Sequence, residues 1–237
     1  MPKNNNKTLV VLCEHASCHI PEEFNNLGLC AKTAENLGYD PGAAELAEQI
    51  AGHFSAQLFK GATSRLLIDL NRIPSDADSI PALRDNTVIP GNVNISPAEK
   101  NRRLVYYHRF HDQVKEHIKE LAEAEAAPVI LSVHSYPQEL FAATPELRDI
   151  DCGLLFNRDA RLTDVLYAEL QTSALNVQKN QPYNLQEYKT GGVIEHGEKN
   201  GYPYIGLEFP SSRLIMPDWR AKVAGNIITG LEKFLSS

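Results

Sequence analysis

The sequence predicts a layered α/β fold built as one domain. Short apolar runs alternate with amphipathic stretches along the chain, the pattern of strands and helices stacked in layers. No internal repeat, low-complexity block or Ser/Gly-rich linker divides the 237 residues. The hydrophobic fraction of 43% is ordinary for a chain with a substantial core.

Thr8 to Cys13 (TLVVLC) reads as a buried strand. Asp40 to Phe59 reads as a helix, with Ala44, Leu46, Ala47, Ile50, Ala51 and Phe54 at helical spacing, Asp40 as N-cap and Pro41 in the first turn. Ser64 to Leu70 (SRLLIDL) reads as a second strand, and the Pro-, Asn- and Asp-rich stretch from Asp76 to Ile95 as a long loop of functional type. Ser96 to Ala126 carries the strongest helix signal: Ser96 caps, Pro97 fits the first position and Glu99 completes a capping box. Pro128 to Val133, Cys152 to Phe156 and Tyr204 to Leu207 read as strands; Leu162 to Ser173 and Trp219 to Leu235 read as helices.

The net charge of -7 is spread without a basic stripe, which excludes nucleic acid as an expected partner. No segment has the apolar length of a membrane span. Met1 to Lys7 is polar, expected to be disordered, and lacks the apolar stretch of a signal peptide. Cys13, Cys18, Cys30 and Cys152 show no CxxC spacing and are expected as reduced, buried small hydrophobes of a cytoplasmic protein. A monomer or small homo-oligomer is expected.

The chemistry lies where apolar runs end. TLVVLC runs into Glu14 and His15, SRLLID into Asn71 and Arg72, PVILSV into His134, and YIGL into Glu208. Open α/β sheets bind ligands beyond the carboxyl ends of their strands. His15 and His134 are good ligands for a divalent metal such as zinc, which in catalytic sites takes a third protein ligand. Asp40 is the leading candidate for that third position, ahead of Glu14 and His19, although on pattern alone its place as an N-cap explains it completely. Glu208 suits a proton shuttle, or the cap of the next turn. Arg72 offers a planar fork for a carboxylate, or a pairing with a surface acid, and Asn71 adds an amide donor. His108 and His111 fit a helix face better than a ligand set, although His108 has the reach to approach the site. Gly191 and Gly192 mark a turn, with close approach of the backbone to a ligand as one use of it. Together these residues fit hydrolysis of an amide in a small substrate that carries a carboxylate.

At these residues the chain resembles the N-formylglutamate amidohydrolase family. The matching segments are CEHASCHIP (Cys13 to Pro21), GYDPGA (Gly38 to Ala43), SRLLIDLNR (Ser64 to Arg72), TVIPGN (Thr87 to Asn92), the Tyr107-His108 pair, SVHSYP (Ser132 to Pro137), the TGG turn (Thr190 to Gly192) with His196, and LEFPSSRL (Leu207 to Leu214). The resemblance implies a phosphorylase/hydrolase-like fold, a three-layer mixed sheet flanked by helices, related to zinc carboxypeptidases and aspartoacylase. It implies one zinc ion on His15 and His134, Glu208 as general acid/base, and Asn71 and Arg72 on the substrate carboxylate. His108, His196 and Arg213 lie in the matching segments and join the expected substrate-binding residues. Zinc carboxypeptidases carry His-x-x-Glu, whereas here Cys18 stands three residues after His15, so Asp40 of the DPGA segment gains weight as a ligand. The implied reaction is hydrolysis of N-formyl-L-glutamate to L-glutamate and formate, a step of histidine breakdown. The alternatives are a carboxypeptidase-like deacylase or peptidase with another substrate, its pocket width set by the loop from Asp76 to Ile95, and a non-catalytic binder of small acidic ligands.

Overall fold

The computed structural model of the chain describes residues 6–141, 144, 149–188 and 191–237. In chain order the strands are β1 (Lys7–Cys13), β2 (Gln57–Lys60), β3 (Leu83–Arg84), β4 (Thr87–Val88), β5 (Ala127–Tyr136), β6 (Cys152–Leu155), β7 (Val177–Lys179) and β8 (Tyr204–Pro210). Six of them form one sheet in the order β2-β1-β5-β8-β6-β7, and β3 and β4 pair separately. β2, β1, β5 and β8 are mutually parallel. β6 runs antiparallel to β8, so the sheet is mixed. Helices α1 (Ala31–Gly38), α2 (Ala43–Phe54), α3 (Pro97–Glu123), α4 (Arg161–Leu170), α5 (Gly192–His196) and α6 (Pro217–Leu235) surround it.

Continuous apolar runs make these strands because both faces of the sheet are covered. Successive side chains alternate between faces. Val11, Val133 and Leu207 pack with Leu46 and Ile50 of α2, Leu166 of α4 and Ile227 of α6. Val10, Leu12 and Ile130 pack with Tyr107, Phe110 and Val114 of α3 on the other side. The outcome is the expected three-layer α/β architecture. Each such aliphatic side chain contributes about 1.5–3 kcal/mol on burial, so the two apolar faces set the layer order. No helix among the described residues is long and apolar enough to cross a membrane.

Several elements differ from the sequence reading. α2 begins at Ala43 and ends at Phe54, bounded by Gly42 (φ 82) and Ser55 (φ 50), and the chain then enters edge strand β2. Asp40 is therefore not the N-cap. SRLLIDL is a buried turn: the Ser64 hydroxyl donates to the Gly38 carbonyl (3.1 Å) and accepts from the Leu66 amide (3.2 Å), which supplants ladder bonding. Its apolar residues Leu66, Leu67, Ile68 and Leu70 are buried all the same, and an apolar run alone does not separate strand from buried turn. The long loop folds into the β3–β4 hairpin, whose turn residues Asp85 and Asn86 have φ of 47° and 60°, both positive as a type I′ turn needs. α3 is capped as expected, with Ser96 Oγ accepting from the Glu99 amide at 3.1 Å, but the Glu99 carboxylate binds Arg102 and Arg103 instead of completing the box. Only Cys13 and Cys152 are buried; Cys18 is half-buried and Cys30 exposed.

Asn92 fastens the hairpin segment to the body. Its amide donates to the Leu66 and Pro81 carbonyls at 2.8 and 2.7 Å, and its Oδ1 accepts from Arg103 Nη1 at 2.6 Å. Asn92→Ala removes all three bonds and leaves buried partners unsatisfied. The expected loss is about 1–3 kcal/mol, read as a lower urea midpoint at unchanged m-value; a midpoint equal to the parent's would contradict this anchoring.

Candidate active site at the carboxyl edge of the sheet

β1 ends at Cys13 and hands on Glu14 and His15. His134 and Glu208 lie inside β5 and β8, longer than the sequence suggested, and are direct neighbours in the parallel register. Ser132 precedes His134 by two residues and so shares its face. Asp40 arrives on the turn before α2, its amide bonded to the His15 carbonyl at 3.0 Å. The buried turn adds Arg65 and Asp69, then Asn71 and Arg72.

These side chains form one network. Oδ2 of Asp40 lies 3.2 Å from His15 Nδ1 and 2.9 Å from His134 Nδ1. The far nitrogens are held from behind: His15 Nε2 lies 2.8 Å from Asp69 Oδ1, and His134 Nε2 lies 2.9 Å from Ser132 Oγ, which donates to Glu14 Oε2 at 2.6 Å. Arg65 donates to Asp40 at 2.8 Å and Asp69 at 3.1 Å. Held in this way at Nε2, both imidazoles turn Nδ1 toward the same Asp40 oxygen. Among the described residues, His15, Asp40 and His134 are the group whose ligand atoms all lie within 4.8 Å of one another. Cys18 packs near Gly38 and does not join it.

Burial would push the Asp40 and Asp69 carboxyls up, but His15 and Arg65 outweigh it and hold both well below the usual carboxylate range. Burial would pull His134 down; the Asp40 hydrogen bond and the Glu14 and Glu208 charges raise it to about 9. The same anionic cage that favours a proton there favours any cation. Glu208 differs. Burial, offset in part by His134, lifts it to about 7, and its Oε2 has no hydrogen-bond partner among the described residues. A carboxyl poised near neutrality suits proton exchange.

A cavity of about 710 Å³ opens over the network, lined by His15, Asp40, His134, Glu208, Asn71 and Arg72 together with Arg65, Arg84, Tyr136 and Tyr183. Of the nine residues expected from sequence to act as proton shuttle, metal ligand or substrate anchor, six thus share one cavity. Three do not. His108 is exposed on α3. His196 is buried, its Nε2 2.8 Å from Nδ1 of His111, whose Nε2 donates to the Leu70 carbonyl at 2.8 Å. Arg213 pairs with Asp151. Thr190 lies outside the described residues. Gly192 is needed because a Cβ there would stand 2.0 Å from Glu14 Oε1, and its amide donates to Asn71 Oδ1 at 2.8 Å. The glycine pair serves the protein's own network in this way. Sequence reading passed over Arg65, Asp69 and Ser132, although charged residues inside an otherwise apolar run are a signal in themselves.

A mixed sheet between helical layers, with histidines, carboxylates and arginines gathered at its carboxyl edge, places the chain among three-layer α/β proteins of hydrolase-like fold. The family profile for N-formylglutamate amidohydrolase matches residues 7–216. The chain belongs to the N-formylglutamate amidohydrolase family. No curated protein matches it. Among solved structures it is similar to the gene product Atu2144 from Agrobacterium tumefaciens, with 29% identity, a TM-score of 0.89, and coverage of 97% of this chain and 91% of that one. It also shares its fold with the N-formylglutamate amidohydrolase from Ralstonia eutropha JMP134, at 18% identity, a TM-score of 0.66, and coverage of 97% and 94%.

The His111–His196 pair makes a pH prediction. Burial and the His111 charge lower His196 from 6.5 to about 3. A depressed folded-state pKa means the stabilisation is complete above the unfolded value and is lost as pH falls from 6.5 towards 3. Urea midpoints across that window should fall more steeply for the parent than for His196→Leu; parallel curves would contradict the buried neutral pair.

Proposed function

We propose that this chain is a divalent-metal-dependent amidohydrolase, with zinc as the ion, that converts N-formyl-L-glutamate and water to L-glutamate and formate. The observation that carries the proposal is the convergence of His15, His134 and Asp40 beneath a cavity that also holds Glu208, in a member of this family. Two imidazoles and a carboxylate, each hydrogen-bonded from behind, suit zinc and leave coordination open for a substrate. An ion bound there would supply Lewis-acid polarisation of the formyl carbonyl and charge stabilisation.

The chain's own residues do the rest. Arg72 engages the α-carboxylate in two parallel hydrogen bonds. Asn71, oriented by the Gly192 amide, fixes the approach of the substrate beside His134. Glu208 takes a proton from the attacking water at Oε2 and delivers it to the leaving nitrogen as the C–N bond breaks. The reaction belongs to histidine breakdown, and a cytoplasmic setting is part of this proposal. The cavity volume of about 710 Å³ favours a second reading in which a larger N-acyl amino acid or a short peptide is the substrate.

Formate release from a panel of N-acyl amino acids and peptides separates the two readings. N-formyl-L-glutamate should give the highest kcat/KM, and a peptide or longer acyl group in that place would overturn the first. Glu208→Gln should lower kcat by about 10²- to 10⁴-fold with substrate binding retained, whereas a variant that keeps full turnover would exclude Glu208 as the proton shuttle.

A further inference from the structure

Arg84 has no part in the scheme above, yet its placement inverts an ordinary rule. Neighbours on a strand point to opposite faces, and an apolar residue normally takes the inner one. On β3 the reverse holds: Leu83 is 59% exposed, while Arg84 turns into the cavity that contains His15, Asp40 and His134. Its Nε is sealed from solvent and has no hydrogen-bond partner among the described residues. No described carboxylate forms an ion pair with it. Burial, reinforced by the nearby Arg65 charge, pulls the guanidinium pKa down, and Asp69, Asp85 and Asp40 offset this only in part.

This arginine is not on a loose tip. The Asp85–Asn86 turn closes the hairpin in two residues, and the Ile89 amide donates to the Ala82 carbonyl at 2.9 Å. Asn92 then pins the segment to Leu66, Pro81 and Arg103. A sheltered guanidinium with no ion-pair partner among the described residues, on a fixed support, suits an anion from outside the chain, and its planar fork matches a carboxylate. Arg65 already serves Asp40 and Asp69, so it is not the group that meets a second substrate charge.

We propose that Arg84 binds the side-chain carboxylate of a dicarboxylic N-acyl amino acid while Arg72 holds the α-carboxylate, which makes Arg84 the residue that selects acidic over neutral side chains. This rests on the hydrolytic reading given above. The test compares the full-length protein with Arg84→Met and Arg84→Lys, using N-formyl-L-glutamate and its neutral isostere N-formyl-L-glutamine. In the Met variant the ratio of kcat/KM for the two substrates should fall by about 10- to 100-fold, the worth of a charge-assisted pair, carried mainly in KM. The Lys variant should recover part of it. The melting temperature of the Met variant should not drop, because no hydrogen-bond or ion-pair partner among the described residues is lost. Calorimetric binding of glutarate against its monoamide gives a readout that needs no turnover: the preference for glutarate should weaken by the same factor. If the parent cleaves neither formyl substrate, the hydrolytic reading fails while glutarate binding still decides the role of Arg84. An unchanged preference in the Met variant, equal loss on both ligands, or failure of that variant to fold would overturn the proposal.

Discussion

The buried carboxylate of Asp40 is the constraint on which the site depends. Its Oδ2 meets Nδ1 of His15, Nδ1 of His134 and the Ser135 amide, and its Oδ1 meets Arg65. Breaking a buried ionic network by removing one partner costs about 3–5 kcal/mol, so four separate stretches of chain must stay in register around this group. Backbone bonds reinforce the arrangement: Asp40 to His15, Ser64 to His19 and Arg65 to Gly38, at 3.0, 2.7 and 3.0 Å. The loops beyond the strands are thereby tied to one another by backbone as well as side-chain bonds.

The same arrangement leaves charge poorly balanced. Glu14, Asp40, Asp69 and Glu208 are all buried, and Arg65 is the guanidinium that bridges two of them. Oε1 of Glu14 and Oε2 of Glu208 have no hydrogen-bond partner among the described residues. Each such group costs about 1–3 kcal/mol or more. The two apolar layers on either side of the sheet offset that cost, so the carboxyl edge tolerates these groups. The inward Arg84 on its hairpin is a second local departure from the ordinary inside-outside pattern.

Much of this was legible in the sequence. Apolar runs marked four of the six sheet strands, and the polar residues beside them marked His15, His134 and Glu208. Asp40 was the instructive case. Its position ahead of an apolar helical pattern fits an N-cap, but Gly42 takes that place with a positive φ, and the carboxylate is released to the histidines. SRLLIDL was misleading for a related reason: the Ser64 hydroxyl substitutes for ladder bonds, a side-chain choice that periodicity cannot register. β2 and β7, short strands of four and three residues, carry too little pattern to stand out. His196 follows the TGG turn closely in sequence, yet α5 carries it into the core beside His111; nearness in sequence gave no information on the direction of its side chain.

The central claim is that His15, His134 and Asp40 together hold a metal ion, and elemental analysis of the purified full-length protein beside its Asp40→Ala variant tests it most directly. The account predicts about one divalent ion per chain, zinc foremost, and its loss from the folded variant. A metal-free parent that still releases formate, or a variant that keeps its full metal content, would contradict it.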